Sequence, residues 1–518
     1  MNKRIWSIFF VICMLVFVCL QALRDPVPEA ADTDGVSEKV QAGQLSKETE
    51  SEIDEGEAEP EISSVFTDKK ETVRLWYTDE VMTDYLQIKA EEYMSEHENI
   101  RLLPILVDRA RYIESIYDAS VKGSTDGMPD LFITTNDTLE KAYLSGVAKD
   151  ISENESINEM NFPLTALDAV TYKGKKTAFP FSYKTAVFLY NKTHLTSMAD
   201  SHNEALKDVA EAEAAMALTD ALIENGGTPD ESVTDDTFAA DTDNNGDEYY
   251  EEDAEDANRP VTVQDLIPRS FEDILNIGDG YDAPEGLEYI FKWDVTDVFY
   301  NYFFAGNYMN IGGQCGDNAD EVDICNPDSV ACMEVFKALR QFFSIDAREV
   351  DYDKVMDEFI QGKILFTIAS SDAPLVLGKA KAEGKLNFQP EVTLLPDLND
   401  NLISGGLSVT DVIAVNGFTE KYDEAEDIAR FLSLGADEKL YDMTGHAACN
   451  LSAEYDNDDM GYCMAAYQKS VSLPKIMEAG NFWMQLEIAM SRIWDGADTA
   501  ETMEKLEDQI RSQLSGRQ

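Results

Sequence analysis

The sequence predicts a mixed α/β protein built as two lobes, and three observations carry that expectation. A β-α-β-α-β series runs from Val73 to Ile133. A second unit, Gly127 to Lys192, joins a short apolar run, a helical pattern and another apolar run. Further helix and strand patterns follow Ser270, in a chain of 518 residues that exceeds what one small core needs.

In the first series, Val73–Tyr77 alternates apolar and polar residues as a strand does. Thr78, Asp79 and Glu80 supply the turn, and Met82–Glu96 carries Met82, Tyr85, Leu86, Ala90 and Tyr93 at helical spacing. Ile100–Val107 reads as a second strand, Tyr112–Ala119 as a second helix, and Leu131–Ile133 as a third strand. The polar group Thr134–Thr138 follows that last strand at once. A buried parallel strand delivers polar side chains in this way to the carboxyl edge of its sheet, where ligands bind in open α/β folds.

Ala178–Phe181 and Ala186–Tyr190 are read as a crossing to the second lobe. Ala205–Glu224 is an Ala-rich helix pattern, and Ser270 caps a helix that begins at Phe271. Phe299–Tyr308, Cys332–Phe343 and Tyr352–Phe359 read as helices, and Ile364–Ile368, Val392–Leu395 and Asp411–Val415 as strands. Ala425–Leu432, Phe482–Trp494 and Thr502–Leu514 complete the helical patterns.

Asp and Glu number 101 against 41 Lys and Arg, a net charge of −60, so a phosphate backbone is repelled and nucleic acid is excluded as a partner. Lys3 and Arg4 precede the apolar run Ile5–Leu23, long enough to cross a bilayer. It is read as an uncleaved anchor, a cleaved signal or a lipoprotein signal at Cys19, each of which puts the rest outside the cytoplasmic membrane. Residues 25–71 are acidic and almost free of aromatics, as a solvated tether is. Of seven cysteines, Cys13 and Cys19 belong to the apolar run. Cys315–Cys325 and Cys449–Cys463 are candidate disulfides in an exported chain, with Cys332 left over.

Pro129-Asp-Leu-Phe132, Leu144-Ser-Gly-Val-Ala-Lys-Asp-Ile151 and Phe179-Pro-(x)n-Leu189-Tyr-Asn-Lys192 occur in this order and spacing. The series, from about Val73 to about Gly496, resembles the extracellular solute-binding proteins of ABC importers, most nearly their carbohydrate group of the maltose-binding type. The resemblance implies a type II, periplasmic-binding-protein-like fold with hinge crossovers, no catalysis, and a monomer that hands a mono- or oligosaccharide to membrane permease subunits. Its expected organisation is an anchor at 1–24 and a linker at 25–71. Lobe 1 then takes 72–182 with 397–450, and lobe 2 takes 183–396 with 451–518, an acidic insertion lying at 196–265. Leu402–Ser408 resembles the family's return crossing.

Residues matching the family's ligand-contacting positions are Tyr77, Asp79 and Glu80 after the first strand, and Asn136 and Asp137 after the third. Tyr183 and Lys184 lie at the crossing, Trp293 and Asp294 before a second-lobe helix, Asp372 after a strand, and Trp483 at a late helix start. A sugar site uses aromatic faces against pyranose rings and planar polar groups against paired hydroxyls. Asp79 and Asp137 are equally readable as helix caps, and Tyr77 as core. Asp372 replaces an aromatic platform, Lys184 a carboxylate and Glu487 an arginine of maltose-binding relatives, which points away from maltodextrin itself.

No cofactor is required by this reading, but Asp241, Asp243, Asn245, Asp247 and Glu252 fit the calcium loop D-x-[DN]-x-[DN]-G-x5-E, with Gly246 at the turn. A chance match in an acidic tract is the competing reading. No His-Glu-x-x-His, phosphate loop or nucleophile elbow occurs, and the four histidines are scattered. The alternatives to an importer component are a membrane-anchored sensing module for a signalling partner and a surface glycan hydrolase.

Overall fold

The computed structural model describes residues 70–122, 127–224, 259–280, 286–343, 345–477 and 479–515. The apolar N-terminal run, the acidic tether up to residue 69 and the calcium-type loop at Asp241–Glu252 lie outside them, and the tether expected to run to residue 71 gives way to a strand at Glu71. Ten strands form one sheet among the described residues. They are β1 (Glu71–Tyr77), β2 (Ile100–Leu106), β3 (Leu131–Thr135), β4 (Phe179–Asn191) and β5 (Tyr289–Phe291), then β6 (Ile364–Ser370), β7 (Pro390–Thr393), β8 (Leu407–Val415), β9 (Ala447–Ala448) and β10 (Val471–Ser472). The order is β2-β1-β3-β8-β4-β6-β5, with β7 and β9 on β4 and β10 on β8.

The first lobe forms as its sequence pattern dictates. β1 lies parallel between β2 and β3. The helices Thr83–Glu96 and Tyr112–Val121 carry the crossovers, burying Tyr85, Leu86, Ala90 and Tyr93 from one and Ile113 and Ile116 from the other. β8 then closes this half antiparallel to β3, with Ile413 opposite Ile133.

Two hydrophobic cores result, and the changeover falls inside single strands. Phe179 and Phe181 of β4 belong to the core of Val73, Leu75 and Phe132. Tyr183 and every buried apolar residue of β4 after it belong to the core of Trp293, Phe336 and Trp494. β8 divides likewise, Leu407 facing one core and Val412–Val415 the other.

The crossing differs from its sequence expectation. It is one continuous 13-residue strand rather than two short pieces. Its first half is bracketed by β8 and β9 and its second half by β6 and β7, so every stretch finds backbone partners. Lys184 is the one position of β4 that is not fully buried. The helix expected at Phe299–Tyr308 shrinks to a single turn, Val298–Asn301, and a 3-10 turn, Tyr302–Phe304. Tyr300, Tyr302, Phe303 and Phe304 are all buried, and consecutive buried aromatics leave no polar face for a surface helix.

Other elements keep their expected type. The helix Pro327–Phe342 starts on an Asn326 cap whose side chain accepts from Ser329 N at 2.9 Å. Ser270 and Asp273 bond reciprocally at the start of Phe271–Gly280. The Ala-rich pattern lies inside one long helix, Lys192–Glu224.

Both candidate disulfides are overturned: Cys315, Cys325, Cys332, Cys449 and Cys463 are all free thiols. Cys449 Sγ lies 3.8 Å from the Tyr467 hydroxyl, whereas Cys463 Sγ points to Ser371 O, also at 3.8 Å. Burial pushes these thiols up, that of Cys332 to about 12, so they are poor nucleophiles. Alkylation of the unreduced, unfolded protein followed by mass spectrometry should find all five modified. A disulfide-linked peptide pair would contradict the fold at that point.

Candidate functional site

β1 and β3 end side by side, and the chain leaving them turns polar. Here Asp79 caps the 3-10 turn Glu80–Met82, its side chain accepting from Val81 N at 3.2 Å. It also lies 3.3 Å from His446 Nε2, off the line of a hydrogen bond, as a charge pair. On the other ring nitrogen, His446 Nδ1 bonds Asp411 Oδ2 at 2.8 Å, and that same oxygen accepts from Ser182 Oγ at 2.7 Å. Burial opposes the charged imidazolium, but the Asp411 and Asp79 carboxylates outweigh it and raise the His446 pKa to about 9. The reciprocal effect of His446 holds Asp79 below its ordinary value. One imidazolium thus ties the β1 turn to hinge strands β4 and β8.

Around this cluster the first lobe opens a cavity of about 480 Å³, lined by the turn after β1, the loop after β2 and the polar end of β3. This volume falls in the usual range for small-molecule sites. Arg109 and Arg111 reach it from the β2 loop, and Lys141 is held there by Glu114 at 2.6 Å. Asp137 lies in the wall, accepting from Thr135 Oγ1, and burial raises its pKa.

The second lobe meets the first at Asp372, which follows β6. Its Cβ lies 3.1 Å from the position a Cβ would take on Gly445, so the left-handed Gly445 (φ +75) lets the lobes approach beside His446. One carboxylate oxygen of Asp372 is buried without a hydrogen bond. Tyr300 and Tyr352, stacked at 4.5 Å, lie in its field. Asp297 and Glu487 carry the acidic character along this side, burial raising the pKa of each.

Several candidates from the sequence prove structural. Tyr77 is buried, its hydroxyl donating to Thr83 Oγ1 at 3.1 Å, although its edge reaches the cavity wall. Asn136 is fully buried and spends its amide on Leu473 O and Thr410 N, at 2.8 and 3.2 Å. Tyr183 is stacked flat on Tyr467 at 4.0 Å. Trp293 lies in the core, its Nε1 donating to Asn301 Oδ1 at 2.8 Å, and Asp294 caps the following turn through Thr296. Trp483 is half-buried, edge-on to Tyr302 at 5.3 Å. Glu80 is exposed beside Asp79. Asp79, Asp137, Lys184 and Asp372 remain at the lobe boundary.

The family model "bacterial extracellular solute-binding protein" matches residues 91–460. The chain is a bacterial extracellular solute-binding protein. The fold of this solute-binding protein is similar to that of solved relatives at low identity. An extracellular solute-binding protein of Staphylococcus aureus, solved with maltose, aligns at a TM-score of 0.63 and 15% identity, covering 86% of this chain and 98% of its own. A cyclo/maltodextrin-binding protein with maltotetraose aligns at 0.60 and 16% identity, over 86% and 97% of the two chains. The maltose-binding periplasmic protein of Listeria monocytogenes, with maltose, aligns at 0.60 and 16%, over 87% and 100%. The solute-binding protein has the same two-lobed mixed α/β architecture.

Sequence reasoning missed His446, Asp411, Ser182 and the two arginines of this solute-binding protein. The histidines look isolated in sequence because the partners of His446 lie 35 and 367 positions away in the chain. One signal was legible: Asp411 directly precedes the apolar run Val412–Val415 of β8, and a carboxylate there requires a partner. No cluster of three or more His, Cys, Asp or Glu residues suited to a metal occurs among the described residues.

Proposed function

We propose that this protein captures a carbohydrate on the outer side of the cytoplasmic membrane by closing its two lobes, and presents it to the permease subunits of an ABC importer. The observation that carries the reading is the polar cavity that Asp79 and Asp137 line at the strand ends of the first lobe, with Asp372 of the second lobe meeting the first at Gly445, beside the His446 that pairs with Asp79. Each lobe supplies part of the contacts, so the closed form alone satisfies the ligand, and binding shifts the population towards it. The solved fold-mates were crystallised with maltose or maltotetraose in place, which supports a sugar as the class of solute.

The apolar run Ile5–Leu23 serves in this proposal as the means of holding the protein at the membrane. No catalytic step is assigned, and the protein acts as a monomer. The test is a glycan panel read by thermal shift on the full chain in detergent. At least one sugar is expected to raise the melting temperature in proportion to the logarithm of its concentration. A panel in which no glycan stabilises the protein rejects the carbohydrate reading.

A further inference from the structure

We infer that the solute carries a carboxylate, which Arg109 and Arg111 bind in the first lobe, so that the carbohydrate is an acidic one of the uronic-acid type. The inference rests on the solute-capture reading and concerns the chemistry of the same cavity.

Most charges in the wall already have partners. Asp79 and Asp411 share the His446 imidazolium, and Glu114 is paired with Lys141. Asp137 is bonded by Thr135, and its burial favours the neutral form. Arg109 and Arg111 are exposed in the same cavity, and neither forms an ion pair within 4 Å among the described residues. Arg109 lies in the field of Asp137 and Arg111 in that of Glu114, yet neither guanidinium is held in an ion pair, and in a chain with 101 acidic and 41 basic residues that leaves both open to a solute anion. Asp108 Oδ1 accepts from Ala110 N at 2.6 Å, fixing the loop between β2 and the helix Tyr112–Val121. That helix opens directly after Arg111, so its positive end adds to the potential of the pair.

A second observation is what the wall lacks. Its aromatic residues, Tyr77 and Tyr112, are buried, and the expected platforms Tyr183 and Trp293 lie in the core. This cavity wall therefore offers a sugar no exposed ring to stack on. It offers planar cations, which match a carboxylate in bidentate geometry. The second lobe is the reverse: Asp372 holds a buried carboxylate oxygen without a hydrogen bond, and Asp297 and Glu487 add further acceptors, while Tyr300 is itself buried. An acidic sugar satisfies both, with its carboxylate towards the first lobe and its hydroxyls towards the second.

Calorimetry on the full chain compares trigalacturonate, its carboxyl-reduced trisaccharide, maltotriose and citrate. Trigalacturonate is expected to bind, with its carboxyl-reduced form weaker by about 10- to 100-fold, the range for losing a charge-assisted bidentate contact. Arg109→Gln with Arg111→Gln should lose the same factor for the acid and leave the unliganded melting temperature unchanged, since both side chains are exposed. Equal affinity for acid and reduced sugar, or an unaffected double variant, overturns the inference while leaving sugar capture standing. Binding of citrate alone, lost in the double variant, supports the carboxylate and ends the sugar reading. Binding of none of the four overturns the inference.

Discussion

Trp293→Ala should destabilise the protein by about 4 kcal/mol, within the usual range for truncating a buried aromatic. Its ring is fully buried, stacked at 4.6 Å on Phe291 and edge-on to Trp494 at 5.7 Å. Removing it opens a cavity where four elements meet and strands the Asn301 side chain, whose oxygen accepts the indole N–H at 2.8 Å. Denaturant titration reads the loss as a lower midpoint at unchanged slope. The same substitution at half-buried Trp483 should cost clearly less. Solute affinity of the folded Trp293→Ala protein should stay near that of the parent. A variant that kept its stability and lost the solute would return Trp293 to the ligand site.

His446→Gln should cost about 3 kcal/mol at pH 6 and almost nothing at pH 10. The pKa of His446 rises in the folded protein from its ordinary value of 6.5 to about 9. Its pairing with two carboxylates therefore contributes fully below about pH 6.5 and is lost as the pH climbs through 9. That separation of roughly 2.5 units corresponds to about 3 kcal/mol. Asp79 acts in the opposite sense: its pKa is depressed, so its share is present above the ordinary carboxylate range and disappears on acidification. The stability difference between parent and variant should thus narrow at both extremes. An equal loss at pH 6 and pH 10 would show that His446 acts through packing alone.

Much of the first lobe is legible in its sequence. The alternation of Val73–Tyr77, the helical spacing of Met82–Tyr93 and the apolar-then-polar change at Ile133–Thr134 are local signals, and each named its element. Patterns of this kind weaken where every residue is buried. β4 has no polar face and accordingly reads as two pieces, whereas the shorter β6, buried throughout, still reads as a strand at Ile364–Ile368. Roles within the site were less legible for a related reason. Trp293 and Tyr183 have the chemistry of sugar platforms, but aromatic residues fill cores with the same preference. The pairing of His446 with Asp79 and Asp411 joins positions distant in sequence, and no local spacing announces it. Family likeness ranked positions by motif and so passed over Arg109 and Arg111.

The unbroken β4 limits how the two halves can move. Its backbone is paired along nearly its whole length, to β8 and β9 in the first half and to β6 and β7 in the second, so there is no slack joint at which one half can swing freely. Opening must come from added twist spread over β4 and β8, which restores itself once the solute leaves. The same ladder welds the halves into one cooperative melting unit, and no single cut of the polypeptide would release either half intact.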